Sequence, residues 1–82
     1  MKPTVLLIDD EPSVQFGFRA YLNKTGYDVQ TAGSIADARQ KLTPGSYDIV
    51  LLDLSLPDGN GLDLITEIRQ NHPEVALVVI TG

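Results

Sequence analysis

The apolar positions of the chain fall in blocks, and the blocks differ in period. Residues 4–8 (TVLLI) form a continuous β-branched and leucine run, the pattern of a strand buried on both faces. Beyond Glu11-Pro12 the period changes. Val14, Gly17, Phe18, Tyr21 and Leu22 fall on one helical face, which predicts a helix over about 13–25, closed by Gly26. Residues 27–31 (YDVQT) alternate and predict a strand exposed on one side, at an edge of its sheet. Gly33-Ser34 opens a short second helix, with Ser34 as its cap and Ile35, Ala38 and Leu42 inward. The break at 43–46 (TPGS) leads into 47–52 (YDIVLL), a second buried strand that ends at Asp53. After the loop LSLPDGN a third helix is predicted over about 61–71. Leu64, Ile65 and Ile68 face inward, and Asp63 and Glu67 face solvent. His72-Pro73 stops that helix, with His72 as a helix-end turn residue, and 75–80 (VALVVI) is the fourth strand. Phe16, Phe18, Tyr21, Tyr27 and Tyr47 are read as core or strand-face aromatics, and Asp58-Gly59-Asn60 as a turn in a mobile loop.

Strands alternating with helices at these lengths imply parallel βαβ units: an α/β fold, one domain over 1–82, with no internal linker. In such sheets the chemistry gathers at the carboxyl ends of the strands. Composition narrows the classes further. A net charge of −5 argues against nucleic-acid binding by this segment. The absence of cysteine excludes disulfides and thiolate metal sites, and fits a reducing cytoplasm. No apolar run is long enough to span a bilayer.

Three strands end in polar groups that share that rim. The first leaves Asp9 and Asp10, the third Asp53, and the fourth Thr81. Alone, each has a plain structural reading as a capping or loop residue. Together, three carboxylates at one edge must either take up protons or hold a cation. Oxygen donors without His or Cys favour Mg²⁺, and a carboxylate beside Mg²⁺ can act as a nucleophile toward phosphorus. Glu11 is read as a solvated helix-start charge.

VLLIDDEPS at 5–13, DIVLLDLSLPDGNGLDLI at 48–65 and ALVVITG at 76–82 resemble the receiver domain of two-component response regulators. The resemblance rests on spacing: Asp53, Pro57 four residues on, Gly61 eight on, and a Thr at the next strand end. It implies a flavodoxin-like sheet in the order 2-1-3-4. It also implies that Asp53 is the phosphoacceptor, served by a sensor histidine kinase or phosphotransfer protein in a Mg²⁺-dependent reaction. By the same resemblance Asp10 is the direct metal ligand and Asp9 a water-mediated one. The Ser55 backbone carbonyl completes the protein ligands, with Asp53, and Thr81 is the switch hydroxyl. Such a module promotes its own phosphorylation and dephosphorylation and is not a conventional turnover enzyme.

Measured against the family pattern, a fifth strand, the last two helices and a lysine at the end of that strand have no counterpart. Lys2, Lys24 and Lys41 do not match the lysine position. The chain therefore reads as a C-terminally truncated receiver with impaired phosphorylation. Its fourth strand is expected to be an apolar edge, available for a homodimer or higher oligomer by strand pairing or exchange of elements. The alternative is an assembly module that self-associates without phosphotransfer. A Mg²⁺-dependent phosphatase would carry a second carboxylate two residues past the nucleophile, where Ser55 stands.

Overall fold

The two uninterrupted apolar runs, TVLLI and IVLLD, lie side by side as the central strands of a parallel sheet, where both faces can be covered. The computed structural model describes residues 2–43 and 47–80. Its elements in chain order are β1 (Thr4–Ile8), α1 (Pro12–Lys24), β2 (Asp28–Ala32), α2 (Ile35–Leu42), β3 (Ile49–Asp53), β4 (Ser55–Leu56), β5 (Gly59–Asn60), α3 (Gly61–Asn71) and β6 (Ala76–Ile80). The main sheet has the order β2-β1-β3-β6, every pair parallel. This is the expected flavodoxin-like α/β arrangement, with β6 as the fourth sheet strand. The break predicted at 43–46 falls mostly outside the described residues, and Thr81 lies outside them.

The two faces of the sheet are covered unequally. On one face Leu6, Ile8, Val50 and Leu52 are fully buried beneath Ile35, Ala38 and Leu42 of α2 and Leu64 and Ile68 of α3. On the other, Val5, Leu7 and Val29 pack against Phe18 and Leu22 of α1, while Ile49, Leu51 and Ile80 are only half-buried. The β6 edge is open as expected: Val78 and Val79 are 49% and 42% exposed. No helix among the described residues is long and apolar enough to cross a membrane.

Local chemistry explains the element ends. Ser34 caps α2, its Oγ accepting from the Asp37 N–H at 3.0 Å. Asn60 caps α3 by accepting from the Leu62 N–H at 2.9 Å. His72 closes α3, donating its N–H to the Ile68 carbonyl at 2.7 Å, as the sequence indicates for a helix-end residue. At the opposite end of the sheet from the acidic rim, Asp48 ties three strands together. Its N–H donates to the Thr4 carbonyl, its Oδ2 accepts from the Thr4 N–H, and its carbonyl accepts from the Ala76 N–H.

Several expectations need correction. Phe16 and Tyr21 are not core residues: they are 76% and 66% exposed. Phe16 lies two positions from both Val14 and Phe18, about 200° around the helix from the packed face. Tyr21 stands over the half-covered side of the sheet, and Gly17 is exposed beside it. Glu67 does not simply face solvent but pairs with Arg39 of α2 at 3.0 Å. The third strand begins at Ile49, two residues later than expected, although the Asp48 backbone already bonds β1 and β6. The segment after Asp53 is not a plain loop. It is an antiparallel hairpin in which Ser55 pairs with Asn60 and Leu56 with Gly59 around Pro57-Asp58.

Candidate metal centre at the acidic rim

The register of the central strands brings the acids together. Leu7 pairs with Leu51 and Ile8 with Leu52, so the chain emerges from β1 as Asp9 at the level where β3 ends in Asp53. One carboxylate oxygen from each of Asp9, Asp10 and Asp53 can be chosen so that all three lie within 4.8 Å of one another. Asp9 is buried, Asp53 half-buried and Asp10 exposed, so the cluster runs from the sheet edge out to solvent. The cleft around it is also bordered by Val14 and Phe18 of α1, Ser55 and Ile80, and its volume is about 460 Å³.

The two strand-end carboxylates are held in the same way. Asp9 Oδ1 accepts the Glu11 N–H at 2.9 Å, and Asp53 Oδ1 accepts the Ser55 N–H at 3.0 Å. Each is a local turn in which the side chain bonds the backbone two residues on. Asp9 thus has the capping-type role of the plain reading as well as its place in the cluster. Among the described residues Oδ1 alone of each carboxylate accepts a hydrogen bond, and Oδ2 has none. The backbone at Asp9 is fixed from both sides. Its N–H donates to the Ala32 carbonyl at 3.0 Å, and its carbonyl accepts from Gln15 Nε2.

The donor set fits Mg²⁺: carboxylate oxygens with no imidazole or thiolate, few enough to leave coordination positions to water. The structure brings Asp9, Asp10 and Asp53 together and sets Ser55 directly beyond Asp53 in β4. Among the described residues the ion pairs are Arg39–Glu67 and Lys41–Asp37, both away from the cluster. Lys41 Nζ also donates to the Thr31 carbonyl, so that cation is spent on α2 and β2.

Sequence reasoning missed two residues that shape the site. Gln15 gave no signal, because its role depends on α1 folding back over the end of β1. Asp58 is the turn residue expected and in addition bonds the N-terminus of α2: Oδ1 accepts from the Ile35 N–H at 2.8 Å and Oδ2 from the Ala36 N–H at 3.0 Å. Those two hydrogen bonds hold its carboxyl below the usual carboxylate range. The Pro-Asp-Gly run was a legible hairpin signal.

A parallel sheet in this order, with carboxylates clustered at the ends of β1 and β3, defines this protein's class as flavodoxin-like α/β. The sequence model described as the response regulator receiver domain matches residues 5–82. The chain is 37% identical over 77 residues to the response regulator protein PilR of Pseudomonas aeruginosa, covering 94% of this chain and 17% of PilR. It is 39% identical over 87 residues to the transcriptional regulatory protein AruR of the same organism, covering 100% of this chain and 35% of AruR. A solved structure, the response regulator protein TrrA from Thermotoga maritima in complex with Mg²⁺-BeF, superposes with a TM-score of 0.91. That protein is 33% identical, with 99% of this chain and 70% of the other covered. The chain belongs to the response regulator receiver domain family. Members are signalling modules of two-component systems that meet histidine kinases or phosphotransfer proteins and bind Mg²⁺ at an acidic pocket. The chain spans well under half the length of the curated relatives it matches.

The glycine at 61, first noted for its spacing, has a steric cause. A Cβ there would lie 2.9 Å from the Leu54 Cα and 3.3 Å from the Asp53 carbonyl oxygen. The first turn of α3 therefore presses on the backbone that carries Asp53, and only glycine permits the approach. Gly61→Ala is expected to lower stability by about 1–3 kcal/mol, as overpacking against fixed backbone does. Urea denaturation measures this, and an unchanged midpoint would show that the contact can relax.

Proposed function

We propose that Asp53 accepts a phosphoryl group from the phosphohistidine of a sensor histidine kinase or phosphotransfer protein, with Mg²⁺ held by Asp9, Asp10, Asp53 and the Ser55 carbonyl. The observation that carries this reading is the three-carboxylate cluster at the ends of β1 and β3. The Mg²⁺-BeF complex of TrrA supports it by similarity. In the transfer Asp53 Oδ2 attacks phosphorus, a P–O bond forms, and the P–N bond to the donor imidazole breaks. The departing nitrogen keeps the bonding pair and takes up a proton. Ser55 N–H holds Oδ1, which fixes the carboxylate plane and presents Oδ2 to the cleft. Mg²⁺ held by these residues would supply charge neutralisation. Thr81 is assigned as the hydroxyl that bonds the phosphoryl group afterwards.

Among the described residues Lys41 is committed to α2 and β2 and does not share that neutralisation. The setting is cytoplasmic, where phosphohistidine donors reside. Incubating the chain with Mg²⁺ and acetyl phosphate, followed by intact mass, is expected to show one phosphoryl adduct on wild type and none on Asp53→Asn. Equal labelling of the two proteins would remove Asp53 from the role.

A second reading is favoured by the open β6 edge. A second copy of the chain pairs there, burying Val78 and Val79. Light scattering is expected to give a dimer or larger at micromolar concentration, and Val78→Lys to return a monomer. A wild-type monomer contradicts this reading. Self-association indifferent to Mg²⁺ and beryllofluoride would favour an assembly role over phosphotransfer.

A further inference from the structure

Asp58 stands apart from the acidic cluster: both of its carboxylate oxygens are committed to α2. An eight-residue helix begins with backbone N–H groups that have no partner in the helix itself. In α2 the local sequence fills one of them, Ser34 Oγ taking the Asp37 N–H. The N–H groups of Ile35 and Ala36 are both taken by Asp58, a residue more than twenty positions along the chain. The contact is reinforced beside it. Gly59, with φ at 156°, approaches so closely that a Cβ would lie 2.9 Å from Ile35 Cδ1. Ile35 in turn is buried in the larger core.

The other end of the same hairpin sits on the site. Ser55, paired with Asn60 across the hairpin, donates its N–H to Asp53 Oδ1. The six residues from Ser55 to Asn60 are thus one short antiparallel unit, attached to the acceptor carboxylate at Ser55 and to α2 at Asp58. The exposed Arg39–Glu67 pair is the other polar side-chain link from α2 toward α3, and an ion pair in that setting contributes little. From Asp53 a polar route to α2 runs through Ser55, the hairpin and Asp58; from Asp9 another runs through β2, where Lys41 bonds the Thr31 carbonyl.

We propose that Asp58 is a positioning residue that couples the Asp53 site to α2, so that occupancy of the site by metal or phosphoryl group is transmitted through the β4–β5 hairpin to the start of that helix. This rests on the reading of Asp53 as the metal and phosphoryl site. A carboxylate is suited to the task, because it fills two backbone donors at once and is favoured at the positive end of a helix.

The test is backbone-amide NMR on the 82-residue chain, titrated with Mg²⁺ and then with beryllofluoride, in wild type, Asp58→Ala and Asp58→Asn. In wild type the amides of Glu11 and Ser55 are expected to shift, and those of Ile35 and Ala36 to shift with the same midpoint. In Asp58→Ala, Glu11 and Ser55 still respond while Ile35 and Ala36 do not. Their hydrogen exchange in metal-free protein accelerates by about tenfold, as loss of two hydrogen bonds implies. Asp58→Asn keeps one acceptor oxygen and is expected to fall between the two. Overturning results are an α2 response that survives in Asp58→Ala, or a wild type in which Glu11 and Ser55 respond and α2 does not. If Mg²⁺ moves neither Glu11 nor Ser55, the metal reading fails by itself. The coupling is then judged on metal-free exchange, and unchanged protection of Ile35 and Ala36 in Asp58→Ala overturns it.

Discussion

The parallel pairing of β1 with β3 is the constraint on which the rest of the molecule depends. The two apolar runs end at the same level, so burying them side by side forces Asp9 and Asp53 together. The magnitudes show which effect wins. Leu6, Leu7, Ile8 and Leu52 are fully buried, and each contributes about 1.5–3 kcal/mol relative to exposure. Two like charges about 4 Å apart repel by about 1 kcal/mol in water and about 4 kcal/mol at an effective dielectric of 20. Packing prevails, and the same strands that make the core gather the carboxylates at its rim.

The uneven covering of the sheet follows from the same topology. α2 and α3 both lie over Leu6, Ile8, Val50 and Leu52, while α1 alone serves the opposite face. The side of the sheet around Ile49, Leu51 and Ile80, with the β6 edge, is where apolar surface is left partly exposed among the described residues. The acidic rim and this surface adjoin at Ile80, which borders the metal cleft and also belongs to the half-covered face. The acidic rim and the open edge are therefore neighbours.

Most of the architecture was legible because its signals are local. TVLLI and IVLLD announce two-sided burial, and Ser34, Gly26 and His72-Pro73 mark helix ends by their own backbone preferences. The three acids were legible because each closes a strand, and parallel strands place such ends at one rim. What escaped depends on contacts between distant segments. Phe16 and Tyr21 share the helix with the packed Phe18, and only the position of α1 over the sheet decides which aromatics are covered. The partners of Gln15 and Asp58 lie on other elements, so even the turn signal around Asp58 does not reveal them. The role of Gly61 was visible as spacing but not as cause, because the cause is the backbone of Leu54 pressed against it. Asp48, expected inside a strand, serves instead as the clamp where three strands begin.

If the three carboxylates repel one another until a cation sits among them, thermal unfolding of the chain responds to Mg²⁺. A ligand at a hundredfold excess over its Kd stabilises by about 2.7 kcal/mol, so a saturable rise in Tm is predicted for wild type. Asp10→Asn is predicted to lose most of that rise, yet to be at least as stable as wild type in metal-free buffer, because a like charge has been removed from the cluster. A wild-type Tm indifferent to Mg²⁺, or an Asp10→Asn protein that is less stable without metal, would contradict the account.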